Sequence, residues 1–130
     1  MKDLKAQLDK LIKAARQDNE VLAVFLFGSI ARGNNYKTSD IDICLILKDR
    51  HYTPLELSKK RVGYLKLFDM DVQIFQQLPL YIRKRILQEG KELFCRDENE
   101  LYLVAFRAIA EFDDFKHIYY DYLREVESVR

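Results

Sequence analysis

Two aspartates two residues apart, Asp40 and Asp42, open the apolar run Asp-Ile-Asp-Ile-Cys-Leu-Ile-Leu. In a β-strand alternate residues share a face, so this spacing sets both carboxylates side by side. Like charges at that distance make each carboxylate hold its proton more tightly. A divalent cation removes the conflict, and Mg²⁺ prefers one or two carboxylates completed by phosphate oxygens. The pair therefore predicts a metal–nucleotide site. Ten residues upstream, Gly28-Ser29 closes another apolar run. Backbone N–H groups and a hydroxyl at such a corner suit phosphate oxygens, and glycine lets a ligand approach the chain closely. Downstream, Asp69 and Asp71 share a face of the segment Asp-Met-Asp-Val-Gln-Ile-Phe, opposite Met70, Val72 and Ile74. If the two Asp-bearing strands are neighbours, three carboxylates converge and two metal ions are accommodated. One ion would activate an attacking oxygen and the other would clamp the phosphates.

The elements that must position these groups are legible from periodicity. Leu4, Leu8, Leu11, Ile12 and Ala15 recur at helical spacing. Val21 to Phe27 reads as a strand buried on both faces, and Asp40 to Leu47 as a second strand. In the latter, Ile41, Ile43, Leu45 and Leu47 face away from Asp40, Asp42 and Cys44. The polar stretch between the two strands reads as a loop whose first half has room for a helical turn. Pro54 starts a helix to about Leu67, with Leu55, Ser58, Val62 and Leu65 as its inner stripe. Asp69 to Phe75 is a third strand. Pro79 starts a helix to Glu89, closed by Gly90, and Glu92 to Cys95 is a short fourth strand. Glu98 to about Glu127 is helical, and an unbroken helix of that length overhangs a domain of this size, so it bends or docks on something. The pattern is α/β (α+β): one domain, residues 1–130, with three or four strands.

Composition excludes several alternatives. The chain has 130 residues, 22 of them Lys or Arg and 21 Asp or Glu, for a net charge of +1. That balance argues against an extended grip on DNA or RNA. No apolar run approaches the roughly 20 residues of a membrane helix, and no secretory leader is evident. Two cysteines without close partners, and His51 and His117 without zinc spacing, point to a reduced cytoplasmic protein. The charge is unevenly spread. Residues 57–96 carry nine basic and four acidic side chains (net +5), whereas residues 97–130 carry four and nine (net −5).

Gly28-Ser29, the ten-residue spacer containing Ala31-Arg32-Gly33 and Ser39, and Asp40-Ile41-Asp42 resemble the signature of the minimal nucleotidyltransferases of the DNA polymerase β superfamily. Asp71-Val72, followed eight residues after the aspartate by Pro79, and then Arg-Ile-Leu-Gln-Glu-Gly-Lys-Glu-Leu-Phe, are similar to that family's third-carboxylate strand, helix and closing strand. The resemblance implies a mixed sheet with helices on one face and carboxylates on the other. It also implies Mg²⁺-dependent transfer of a nucleoside monophosphate from a triphosphate. Asp40 and Asp42 would bind metal. Asp71 would be the third carboxylate and would help deprotonate the acceptor hydroxyl; Asp69 is its rival, and the spacing to Pro79 favours Asp71. Gly28 and Ser29, with Arg32 and Ser39, would hold the nucleotide.

A chain this short has no room for the extra domains of a polymerase or an aminoglycoside-modifying enzyme, so it must share its surface with a dimer mate or a partner chain. It resembles the antitoxin half of HEPN/nucleotidyltransferase toxin–antitoxin pairs. There the implied reaction is transfer of AMP from ATP, with two Mg²⁺ ions, to a tyrosine of the toxin. The other readings are a small-molecule or RNA-end nucleotidyltransferase and a non-catalytic toxin-binding module.

Overall fold

The computed structural model describes residues 4–28 and 41–128. Along the chain run α1 (Leu4–Gln17), β1 (Val21–Phe27), β2 (Asp42–Leu47), α2 (Pro54–Leu67), β3 (Asp71–Ile74), a 3-10 turn at Phe75–Gln77, α3 (Leu80–Glu89), β4 (Lys91–Cys95) and α4 (Glu98–Ser128). The four strands form one mixed sheet in the order β3-β2-β1-β4. β1 is antiparallel to both β2 and β4, and β2 is parallel to β3.

β1 is central, and its apolar run feeds both faces of the sheet. Val21, Val24 and Leu26 pack with Leu11 and Ala15 of α1 and with Leu57 and Tyr64 of α2. Leu22, Ala23 and Phe25 pack on the other side with Ile86 of α3 and Leu101, Val104 and Ala108 of α4. The expected one-sided arrangement is thus corrected. α1 and α2 cover the face away from Asp42, and α3 and α4 cover part of the face that carries it. The physical reason is β1 itself, whose two apolar faces both require a layer of helices.

α2 starts at a capping box: the Thr53 hydroxyl accepts from the Glu56 N–H at 3.1 Å, Glu56 accepts from the Thr53 N–H at 3.0 Å, and Pro54 takes the first turn. Its inner face is not the expected Leu55, Ser58, Val62 and Leu65. Leu57 and Tyr64 are buried instead, and Leu55, Val62 and Leu65 are exposed. The rotation is held by polar contacts. Lys60 Nζ meets Asp18 at 2.9 Å and Glu20 at 2.7 Å, and the Tyr64 hydroxyl donates to Asp18 at 3.0 Å. Lys60 and Arg50 hold the Glu20 carboxyl below its ordinary range. β3 is shorter than expected, because Phe75 leaves the ladder for the 3-10 turn.

α4 is unbroken, and its 31 residues span about 46 Å. Its last buried residue is Ala108, so the second half extends past the packed body. Among the described residues, no helix is long and apolar enough to cross a membrane.

Arg96 closes the end of the sheet opposite Asp42. Its guanidinium donates to the carbonyls of Val21, Ala15, Arg16 and Asp18 at 2.9–3.1 Å and lies over Phe94. It thus satisfies carbonyls at the C-terminus of α1 that have no partner within the helix. Arg96→Met is expected to lower stability by about 2 kcal/mol, since several charge-assisted bonds are lost at a partly exposed site. The urea midpoint of the variant against the intact chain measures this.

Candidate active site

The parallel pairing of β2 with β3 sets Asp42 opposite Asp71, Ile43 opposite Val72 and Cys44 opposite Gln73. The ladder continues past the strand end, where the Asp71 N–H donates to the Ile41 carbonyl at 2.9 Å. Residues paired in a ladder share a face, so the two carboxylates stand side by side on neighbouring strands. Their phase is fixed from beneath. Ile41, Ile43, Met70, Val72 and Ile74 are buried against α1 and α2, which leaves Asp42 and Asp71 on the opposite face. Asp69 precedes β3 and is exposed, outside the pairing.

Gly28 stands at the end of β1 beside Phe27, which pairs with Asp42. It has φ = +77°, a conformation that L side chains rarely adopt. A Cβ added there would lie 2.3 Å from Asp42 Oδ2. From sequence, this glycine suits close approach of a ligand. The structure adds a reason within the chain: the Asp42 carboxylate already occupies the space a side chain would take.

Two residues not singled out in the sequence support Asp71. Arg61 of α2 donates through Nε to the Val72 carbonyl at 2.9 Å and sets its terminal nitrogen 3.5 Å from Asp71 Oδ1. Gln73 donates to the same Oδ1 at 2.9 Å. Both contacts fall on one oxygen, so the carboxylate is anchored from one side. Gln73 follows Asp71 at the strand period and was visible as a neighbour on its face. Arg61 comes from another element, and only packing brings it here. Cys44 lies on the Asp42 side within the core formed with α3 and α4, and burial pushes its thiol well above the ordinary range. That suits a small core side chain rather than a nucleophile.

Ser29, Arg32, Ser39 and Asp40, with the rest of the spacer, lie outside the described residues. Of the expected site, the structure therefore brings together Gly28, Asp42 and Asp71. Carboxylates on adjacent strands beside a left-handed glycine corner form a hard oxygen donor set that fits Mg²⁺ and not a soft-ligand metal.

A relative from Methanocaldococcus jannaschii that carries the name of a protein adenylyltransferase is 41% identical over 83 residues, covering 64% of this chain and 62% of the relative. The chain therefore matches about three-fifths of that relative's length. The protein adenylyltransferase MntA of Shewanella oneidensis is 28% identical over 100 residues, covering 74% of this chain and 71% of MntA. Among solved structures, a toxin–antitoxin complex with AMP-PNP superposes with a TM-score of 0.64 at 19% identity, covering 91% of this chain and 96% of the other. The structure of the tri-AMPylated Shewanella oneidensis HEPN toxin in complex with MNT antitoxin gives 0.63 at 17% identity, covering 95% and 98%. At those identities the likeness establishes the fold. The family model described as polymerase beta, nucleotidyltransferase, matches residues 9–99. The mixed sheet, the paired carboxylates and this match place the chain in the polymerase β nucleotidyltransferase family.

Proposed function

We propose that this chain is a Mg²⁺-dependent protein adenylyltransferase that acts as an antitoxin, moving AMP from ATP to a tyrosine hydroxyl of a partner HEPN toxin. The observation that carries the reading is the register pairing of Asp42 with Asp71 beside Gly28. It is supported by relatives and fold neighbours whose names are those of protein adenylyltransferases and MNT antitoxins.

In this reading Asp40, Asp42 and Asp71 hold the metal, and three carboxylates are enough donors for two ions sharing substrate phosphates. The bound metal would neutralise charge on the phosphates. Gly28 and Ser29, with Arg32 and Ser39, hold the triphosphate at the end of β1. Asp71, steadied through Oδ1 by Gln73 and Arg61, accepts the proton of the acceptor hydroxyl. The tyrosine oxygen forms a bond to the α-phosphorus, the bond from that phosphorus to the bridging oxygen breaks, and pyrophosphate leaves. In this reading the protein acts in the cytoplasm, which the free thiols of Cys44 and Cys95 support. Residues 1–130 then form a single nucleotidyltransferase domain.

With labelled ATP, Mg²⁺ and the HEPN partner, the intact chain is expected to label the toxin on tyrosine. Asp42→Asn with Asp71→Asn should lower incorporation by about a thousandfold or more, the scale expected when charge stabilisation and the proton acceptor are lost together. Its circular dichroism should stay unchanged. Full transfer by that variant would sink the reading. Neutralisation of the toxin by the same variant, at wild-type strength and without transfer, would mark the chain as a binding module.

Chelation of divalent metal should abolish transfer, and added Mg²⁺ should restore it. Gly28→Ala should cost about 1–2 kcal/mol in the unfolding midpoint from the left-handed backbone alone. Its loss of transfer should be larger than that destabilisation explains, because the added methyl displaces the Asp42 carboxylate.

A further inference from the structure

Two exposed apolar faces of this molecule carry opposite charge. The first is the outer side of α2, where Leu55 is 63% and Val62 is 47% exposed. Lys59 and Lys66 alternate with them along the i, i+4 and i, i+3 rows, so the four residues form one stripe. Among the described residues neither lysine forms an ion pair. Gly63 adjoins this stripe, and a Cβ built there meets nothing within 4 Å. Glycine in a helix interior is destabilising, and no neighbour within the chain requires it here. Bare helix backbone beside an apolar stripe suits close approach by another chain. Residues 54–67 carry four basic side chains and one acidic, net +3.

The second face is α4 beyond Ala108. Ile118, Tyr122 and Val126 follow one another at i+4 on a single row, with Ile118 67% and Tyr122 61% exposed. Asp114 begins the same row, Asp113 lies beside it, and neither forms an ion pair among the described residues. Residues 109–128 carry six acidic side chains and two basic, net −4. A helix extended into water has little to hold it, because most helical stability in proteins comes from packing an apolar face. The two surfaces do not meet within one molecule, since α2 packs on one face of the sheet and α4 on the other.

We propose that the acidic end of α4 docks on the basic, apolar face of α2 in a second copy of this chain, with two reciprocal contacts closing a dimer. Charge and exposed apolar surface support this occupant: apolar side chains on both faces, an open backbone at Gly63, and lysines outside any ion pair set against aspartates outside any ion pair among the described residues. The interface is independent of the carboxylate site and does not require the proposed reaction.

Light scattering on the intact chain at about 100 µM should give twice the monomer mass, falling to monomer on dilution. Lys59→Glu with Lys66→Glu should be monomeric at the same concentration, as should Asp113→Lys with Asp114→Lys, because each variant sets like charges against each other. Mixing the two variants in equal amounts should restore the dimer mass, since each reversed face now meets its opposite. That rescue separates the interface from a simple loss of folding. A wild-type chain that stays monomeric, or pairs only with a different protein, overturns the proposal. So does a single variant that remains dimeric, or a mixture that remains monomeric.

Discussion

The structure depends on one constraint: two carboxylates must be held side by side on adjacent parallel strands without the chain relaxing away from their repulsion. A parallel ladder is the device that does this. It aligns Asp42 with Asp71, and its continuation to Ile41 removes freedom at the very end of the strand. The apolar residues between the aspartates supply the restoring force. A slip of one position would expose Ile43 and Val72 and bury the charges, so the hydrophobic layer against α1 and α2 fixes the phase.

The supporting contacts have a graded importance. Arg61 and Asp71 are both partly exposed, and an ion pair of that kind contributes on the order of 0–1 kcal/mol. That is too little to substitute for a divalent ion, but its bond to the Val72 carbonyl gives it direction. Lys60, one residue away, ties the same helix to the turn that precedes β1. α2 thus connects the carboxylate of β3 with the start of β1, and a shift of this helix would disturb both. Gly28 completes the arrangement on the other side, where missing side-chain volume makes room for Asp42.

Much of this was legible in the sequence because local signals and the global fold agree. Val21 to Phe27 is apolar without alternation, which implied burial on both faces, and both faces are covered. Thr53-Pro54 and Pro79 mark helix starts through backbone chemistry that does not depend on distant residues. The strand period alone put Asp71 opposite Met70 and Val72. The failures have a shared cause. α2 is apolar on two sides, and Leu55, Val62 and Leu65 fit helical spacing as well as Leu57 and Tyr64. Periodicity cannot choose between two such stripes; Asp18, 42 residues before Lys60 in the chain, does so through Lys60 and Tyr64. Arg61 was invisible for the same reason, since nothing in its neighbourhood says which strand it will face. Helices on one face only would leave the second apolar face of β1 bare, which is why both faces are covered.

The position of Arg96 has a consequence for how the chain is made. β1 is the central strand, yet one of its two neighbours, β4, arrives about seventy residues later, and the guanidinium that seals the end of α1 follows directly after it. During synthesis, β1 can pair with β2 early but keeps a bare apolar edge until residue 96 has emerged. An incomplete chain is therefore sticky at its most hydrophobic strand. The late guanidinium acts as a latch on a sheet whose centre was built first and enclosed last.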